Sequence, residues 1–248
     1  MTKRMTLFLL LVLVPLSQSI ADDGRAKELI QKMDDMYRST ASRATMTMRM
    51  QTPDYDRSMT MESVTIGEEK MLIRILSPRK ERGIATLKID KEMWNFFPKI
   101  NKTIKVPPSM MMGSWMGSDF TNDDLVKESS LVEEYALSLR EDADVYEITL
   151  TPKAQTVTVW GKIVVKINKI DNTPAEQAFF DDKGRKVRIM TYKEPKKFGS
   201  VTLPSVLEMI PLNKTGHKTL IIYDNLELNA QGVEEQLFTL RSLKQRLR

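Results

Sequence analysis

The sequence predicts a mainly β fold, an antiparallel meander of roughly eleven to thirteen strands preceded by one helix. Residues 45–50 read TMTMRM, and this strict alternation of polar and apolar side chains is typical of a strand with one buried face. Similar short segments continue to residue 228, separated by turn sequences such as DDKG at 181–184 and NKTG at 213–216. Since no helical pattern separates these segments, an antiparallel sheet is favoured over a parallel one.

The elements follow in order along the chain. A 3.6-residue apolar stripe predicts one amphipathic helix over Asp22–Ser39. Strands are then predicted over 45–50 and, after a turn at Pro53, around 59–63. The remaining predicted strands are 69–76, 83–90, 92–98, 101–106, 131–140, 143–151, 156–170, 175–181, 185–194, 200–210 and 217–228. No internal repeat and no Pro/Ser-rich linker divides them, so the sequence favours one domain.

The first 21 residues have the pattern of a secretory signal peptide. Lys3 and Arg4 precede an apolar run that ends at Pro15, and small side chains stand one and three residues before a cut after residue 21. This run is shorter than the about 20 residues that cross a bilayer, and no later stretch approaches that length. We therefore expect cleavage there, export, and a single soluble domain over residues 22–248.

Composition excludes several classes of site. The chain has no cysteine and one histidine, His217, which excludes disulfides, thiolate nucleophiles, Cys-ligated zinc and multi-histidine metal sites. The formal net charge of +5 is small for a dedicated nucleic-acid-binding protein, which would carry a strongly basic domain or stripe. We expect no nucleic-acid partner, no resident metal and no cofactor.

The sequence also argues against an enzyme. His217 follows Gly216 in a predicted hairpin turn, and neither G-x-S-x-G nor H-E-x-x-H occurs. The carboxylates of Asp119, Asp123 and Asp124 are better explained as helix caps and anchors than as paired catalytic acids. No catalytic residue is therefore assigned.

One segment interrupts the strand pattern. Residues 107–125 read PPSMMMGSWMGSDFTNDDL, which predicts a short, mobile, apolar helix followed by a second helix that Thr121 caps. An apolar segment of this kind must cover another surface, so we interpret it as a lid. Gly113 and Gly117 are the candidate hinges, although glycine can equally end a helix. The candidate lid residues are Met110, Met111, Met112, Trp115, Met116 and Phe120.

Methionine is the strongest compositional signal, with 17 residues, of which at least ten fall in three clusters. Because its side chain is flexible and polarizable, methionine suits a surface that repacks around ligands of varied shape, although it also fills ordinary cores. Thioether sulfur is in addition a soft ligand for copper(I). A Met-rich periplasmic copper(I)-binding protein is therefore the alternative hypothesis, without a cysteine or a nearby histidine to support it.

The order of these features resembles a bacterial family of periplasmic lipoprotein carriers (LolA-like, outer membrane lipoprotein-sorting proteins). The resemblance covers the whole mature chain: a signal peptide, one helix, antiparallel strands, a strand pair containing KEMWNFFP at 91–98, and then a lid. The dodecamer SWMGSDFTNDDL at 114–125 is the most specific element, and FTL at 238–240 is the weakest. In the family an arginine just before the strand that here contains Met71 latches the lid, but Glu68, Glu69 and Lys70 occupy that place in this chain. Arg49 and Arg74 are other candidates for the role, although a lone arginine on a strand is more often a solvated residue.

The resemblance implies an open, strongly curved half-barrel with a short helical lid over a concave apolar face that holds acyl chains. Burying an acyl chain is favourable by about 0.8 kcal/mol per methylene, so a carrier needs an apolar cavity of matching area. Alternation along the strands selects the residues that we assign to this cavity, although Trp94 is equally consistent with a core anchor. They are Met46, Met48, Met50, Met59, Met61, Trp94, Phe96, Ile163, Val165 and Ile167.

The implied function is that of a periplasmic carrier that shuttles a lipoprotein or a lipid between the inner and outer membranes. Its expected partners are the lipidated cargo, an inner-membrane exporter of the resistance-nodulation-division or ABC type, and an outer-membrane acceptor. Lys99, Lys102 and Lys105 precede the lid and form the preferred docking edge for an acidic partner or anionic headgroups, unless they are simply solvated.

Overall fold

The computed structural model describes residues 17–127, 131–156 and 158–245. Most of the predicted signal peptide therefore lies outside the described residues. Among the described residues, no helix has both the length and the apolar character needed to cross a membrane.

The described residues form a mainly β fold, as predicted, with one α-helix of 19 residues and two short ones. The helices are α1 (Ser17–Asp35), α2 (Asn122–Lys127) and α3 (Leu131–Glu134). The strands are β1 (Ala41–Gln51), β2 (Asp56–Ile66), β3 (Lys70–Ser77), β4 (Ala85–Ile89), β5 (Glu92–Phe97), β6 (Lys102–Lys105), β7 (Tyr135–Glu141), β8 (Val145–Pro152), β9 (Lys162–Asn168), β10 (Pro174–Phe180), β11 (Lys186–Phe198), β12 (Val201–Pro211) and β13 (Lys218–Leu228). Residues 131–134 are helical rather than extended, and β9 begins later than the predicted strand at 156.

All thirteen described strands form one antiparallel sheet in the order β6-β5-β4-β3-β2-β1-β13-β12-β11-β10-β9-β8-β7. Consecutive strands pair with each other except β6 and β7, and the first and last strands, β1 and β13, pair near the centre of the sheet. The edge strands β6 and β7 do not pair with each other, so the sheet stays open. The prediction of an open half-barrel is confirmed.

The two faces of the sheet have different covers. We call inner the face that carries Met46, Met61 and Ile73, and outer the face that carries Val64 and Leu72. On the inner face, α1 lies against β7 and α3, and its buried side chains form one core cluster with residues of β8, β9 and β10. On the outer face, the C-terminal residues 230–245 cover the half of the sheet formed by β2 to β5.

The C-terminal cover is fixed by apolar packing and by one arginine. Phe238 and Leu243 are buried against Leu87 and its neighbours on the outer face. The buried guanidinium of Arg74 donates hydrogen bonds to the carbonyl oxygens of Leu243 at 2.9 Å and Ser242 at 3.0 Å. Burial lowers the pKa of Arg74, and Glu62 partly opposes this change. The chain therefore buries both faces of this half of the sheet.

Candidate functional site

A largely apolar cavity of about 130 Å³ lies on the inner face. Strands β1, β2, β3, β11, β12 and β13 supply its floor, and α1 covers one end. The other end is covered by residues 108–127, which we call the crossing segment. The lining residues are Met33, Asp34, Tyr37, Arg38, Ser42, Ala44, Met46, Met61, Ser63, Thr65, Met71, Ile73, Trp115, Phe120, Asp124, Leu125, Tyr192, Leu207, Ile221 and Tyr223.

A second, smaller cavity of about 40 Å³ lies farther along the same face, over β9 to β12. Its wall includes Ile163, Phe179 and Met190. Phe120 and Asp124 of the crossing segment line both cavities. The crossing segment therefore separates two apolar spaces that share one floor.

Four sets of polar contacts hold the crossing segment on the inner face. Trp115 Nε1 donates to Thr86 Oγ1 of β4 at 3.1 Å, and Arg57 of β2 donates to the Met116 carbonyl at 3.3 Å. Asp119 pairs with Thr219 of β13 twice: its backbone N–H donates at 3.0 Å, and its carboxylate accepts at 2.8 Å. The fourth set joins α2 to β11. The segment is thus tied to strands on both sides of the central β1–β13 pair.

The start of α2 is fixed by the Thr121 cap that the sequence predicted. The Asp124 backbone N–H donates to Thr121 Oγ1 at 3.2 Å, and the Asp124 carboxylate accepts the Thr121 N–H at 2.7 Å. The same carboxylate receives two hydrogen bonds from the buried guanidinium of Arg188 on β11. Asp124 therefore serves as both a helix cap and an anchor, as the sequence suggested, whereas its arginine partner was not predicted.

The five strand methionines assigned to the cavity divide into two groups. Met46 and Met61 line the cavity. Met48, Met50 and Met59 are buried farther along β1 and β2, in a cluster with Trp115. The structure therefore brings all five to the same face, but only two of them border open space.

Trp94 and Phe96 lie on the opposite face from the cavity, which differs from the predicted placement. Phe96 is buried in the outer cluster with Phe238 and Leu243, and Trp94 packs against the same cluster. On β5 it is Met93 that points inward. The physical reason is that both faces of β5 are covered, so its apolar residues do not reveal which face carries the cavity.

The three aliphatic residues assigned from β9 all lie on the inner face. Val165 and Ile167 are buried in the core beneath α1 and do not line either cavity. Ile163 borders the second cavity. The helix therefore covers two of the three β9 residues that the sequence assigned to the cavity.

The six predicted lid residues are not equivalent. Trp115 and Phe120 are buried at the cavity, and Met116 packs against the strand methionines. Met111 packs in a separate small cluster with Met93 and Val106. The other two, Met110 and Met112, are 59% and 38% exposed.

The crossing segment is less helical than predicted. A single 3₁₀ turn at Pro108–Met110 precedes turns that continue to α2. Met116 and Gly117 both adopt positive φ angles, of 52° and 79°, which glycine tolerates and methionine seldom does. Gly113 does not share this backbone conformation, but a Cβ there would lie 3.0 Å from the Met110 carbonyl oxygen.

The predicted docking lysines lie at an edge of the sheet. Lys99, Lys102 and Lys105 are exposed on and beside the edge strand β6. Lys105 forms an ion pair with Glu92 and lies 5.5 Å from the centre of the Trp94 ring. The structure thus groups the three lysines along one rim.

A third cavity, of about 390 Å³, is larger but differs in chemistry. It is bordered mainly by charged side chains, among them Glu68, Lys88, Asp123 and Glu134. Such a wall does not suit a hydrocarbon chain. Among the described residues, no group of three or more histidine, aspartate and glutamate side chains is placed to hold a metal ion.

Comparisons with known proteins identify one matching family model and several solved structures with a similar fold. A family model described as "Uncharacterized protein" matches residues 67–245. No curated protein matches the sequence. A domain assigned as an outer membrane lipoprotein-sorting protein from Vibrio parahaemolyticus is 22% identical, with a TM-score of 0.77 over 90% of this chain and 100% of that one.

Two further structures agree with this result. A DUF1329 family protein from Desulfovibrio piger is 20% identical, with a TM-score of 0.80 over 90% of this chain and 99% of that one. A LolA superfamily protein from Nitrosomonas europaea is 19% identical, with a TM-score of 0.71 over 88% of this chain and 98% of that one. Likeness at this level of identity establishes the fold, which this chain shares with these three structures.

Proposed function

We propose that this chain, which belongs to the family whose model matches residues 67–245 and has the LolA superfamily fold, is a periplasmic carrier of acyl chains. It would hold a lipoprotein or a lipid in its inner-face cavity and shuttle it between the inner and outer membranes. The observation that carries this proposal is the pair of apolar cavities enclosed between the sheet and a crossing segment that polar contacts pin in place. We assign no catalytic step to these residues.

The size of the main cavity supports a resting state in which the crossing segment closes the site. Its volume of about 130 Å³ is close to that of an engineered cavity of about 150 Å³ that holds benzene. A full-length acyl chain needs considerably more room. Cargo binding therefore requires the crossing segment to move, and displacement of Phe120 would join the two cavities into one groove.

The crossing segment is suited to such a movement and acts as the lid in this proposal. Its strongest ties are polar contacts at a few points, and lids of this kind belong to the less stable parts of a structure. Gly117, in a positive-φ conformation, is the preferred hinge, with Gly113 as the second.

The lysine rim beside the lid is the proposed docking edge. Residues 98–118 contain three lysines and no acidic residue, and Ile100 and Ile104 are exposed among them. A surface of this kind favours anionic lipid headgroups. An inner-membrane exporter of the resistance-nodulation-division or ABC type, and an outer-membrane acceptor, would be the machines that load and unload the carrier.

A cavity-filling variant tests the carrier proposal. Ala44→Phe places a ring in the main cavity, whereas Arg49→Phe places the same ring on the exposed outer face of the same strand. We expect Ala44→Phe to weaken binding of a fluorescent fatty-acyl probe at least tenfold, which corresponds to about 1.4 kcal/mol. Arg49→Phe should leave probe affinity unchanged.

Native mass spectrometry of protein purified from its own periplasm provides the complementary measurement. Co-purified lipid or lipoprotein would support the carrier. Bound copper(I) without lipid would instead favour the Met-rich copper hypothesis. In the probe titration, equal affinity of the Ala44→Phe and Arg49→Phe variants would contradict the assigned cavity.

A further inference from the structure

We infer that the main cavity binds an uncharged, hydrogen-bonding headgroup at its α1 end and a hydrocarbon chain at its methionine end. The preferred ligand class is accordingly an amphiphile such as a glyceryl ester, rather than a free fatty acid or a hydrocarbon. This inference rests on the proposed carrier function and specifies how the ligand is oriented.

The pairing of β1 with β2 places a polar-to-apolar gradient along the cavity floor. Ser42 lies opposite Thr65, Ala44 opposite Ser63, and then Met46 opposite Met61. All six residues line the cavity. Met46 is four positions along β1 from Ser42, so the gradient extends over about 13 Å.

The polar end is buried. Ser42, Ser63 and Thr65 are each at most 6% exposed, and the hydroxyls of Ser42 and Thr65 share a hydrogen bond of 2.8 Å. Each hydroxyl can both donate and accept, so this pair retains capacity for a further partner. A hydrocarbon chain at this end would leave that capacity unused, which is unfavourable in a buried site.

The end of α1 and the turn that follows it add one charge of each sign at the same end. Gln31 Nε2 donates to Glu68 at 2.8 Å, which positions the helix beside the β2–β3 turn that follows Thr65. From there Asp34 and Arg38 line the cavity. The charges of Asp34 and Arg38 balance, and the third charged group of the cavity wall, Asp124, is paired with Arg188. An additional buried carboxylate or ammonium would therefore lack a counter-charge, and burying it would be costly.

The opposite end has the chemistry of a hydrocarbon site. Beyond Met46 and Met61, the cluster continues with Met48 and Met59 beneath Trp115. Flexible thioether side chains adapt to chains of different shape. The headgroup would therefore lie beneath α1 and the chain end beneath Trp115.

A displacement titration tests this orientation. The unaltered protein is loaded with the uncharged probe N-phenyl-1-naphthylamine, and 1-decanoylglycerol and decanoate are compared as competitors at pH 8. We expect the glyceryl ester to displace the probe at a concentration at least tenfold lower. Equal potency, or a preference for decanoate, would overturn the inference while leaving the carrier proposal intact.

A matched pair of double variants locates the effect. Ser63→Ala with Thr65→Val removes two hydroxyls from the inner face, and Ser58→Ala with Thr60→Val removes two from the outer face of the same strand. We expect only the inner pair to reduce the preference for the glyceryl ester, by about tenfold. A preference unchanged in a folded inner variant would contradict the assigned headgroup site. Failure of the probe and both lipids to bind would refute the carrier proposal itself.

Discussion

The buried guanidinium of Arg188 on β11 holds the carboxylate of Asp124 on α2 through two hydrogen bonds, of which the one from Nη1 measures 2.8 Å. The guanidinium also lies over the rings of Trp160 and Phe179, 4.4 Å and 4.1 Å from their centres. The pair is almost fully removed from solvent. It is thus the point at which the proposed lid is attached to the far half of the sheet.

Asp124→Asn should both destabilise the fold and loosen the lid. The substitution leaves the buried cation of Arg188 without a counter-charge, so we expect the free energy of unfolding to fall by about 3 kcal/mol. Hydrogen–deuterium exchange at residues 118–127 should rise. Asp142→Asn breaks an exposed pair with Arg140 and should cost less than about 1 kcal/mol. Similar losses in the two variants would argue against Arg188–Asp124 as an anchor.

Thr86→Val tests the hydrogen bond that the Trp115 indole N–H donates to Thr86. The buried N–H of Trp115 would lose its acceptor at 3.1 Å, and we expect a loss of about 1–3 kcal/mol in stability. Thr86 also contacts Asn95, so the change is repeated in a Trp115→Phe background, where no N–H remains to be stranded. The cost of Thr86→Val should be clearly smaller there, as measured by urea unfolding. The same cost in both backgrounds would rule out coupling.

Leu243→Ala should separate stability from binding. Leu243 is completely buried on the outer face, so its truncation should cost about 2–5 kcal/mol. Since the inner-face cavity is on the other side of the sheet, affinity for a fatty-acyl probe should not change. Leu240→Ala, at a residue 48% exposed, serves as the control and should alter neither the melting temperature nor binding. A large loss of probe affinity in folded Leu243→Ala protein would contradict the separation of the two faces.

Stability should fall in acid partly through Glu208. Burial alone would raise the pKa of this carboxyl, but a hydrogen bond and the positive charge of Lys193, with help from Lys218, hold the pKa below 4.5. A carboxyl with a lowered folded-state pKa stabilises the fold above its unfolded pKa, and this contribution is lost as pH falls through the folded value. Thermal melts from pH 7 to pH 3 should therefore show a shallower decline for Glu208→Gln. Parallel curves would refute this contribution.

Removal of two rim lysines should weaken contact with anionic membranes. Each lysine near such a surface contributes about 1 kcal/mol, so Lys99→Ala with Lys102→Ala should reduce binding to phosphatidylglycerol vesicles roughly thirtyfold at low salt. Lys183→Ala with Lys197→Ala changes the net charge equally at other exposed positions. Co-sedimentation that responds equally to both double variants would indicate a general charge effect instead of a docking edge.

Much of the fold could be predicted because its signals are local. The alternation at 45–50 and the turns at 181–184 and 213–216 depend on neighbouring residues, and the strands lie where these patterns put them. The cap between Thr121 and Asp124 could also be predicted from the sequence, because its two partners are three residues apart.

The assignment of faces was less predictable. The alternation of polar and apolar residues along a strand shows which residues share a face, but it does not show which face carries the cavity. On β1 the outer residues are polar and the choice was clear, whereas β5 is apolar on both faces because residues 230–245 cover the outer one. Trp94 and Phe96 were therefore placed on the wrong side.

The sequence by itself determined the strand meander, the single leading helix and the apolar segment that crosses the sheet, because periodicity, turns and caps act over a few residues. Tertiary structure alone decided that Arg188 meets Asp124 and that Ser42 lies beside Thr65 at one end of a cavity. These partners are 64 and 23 residues apart. Long-range pairs of this kind depend on strand register and on how the open sheet curves, and no local pattern encodes either.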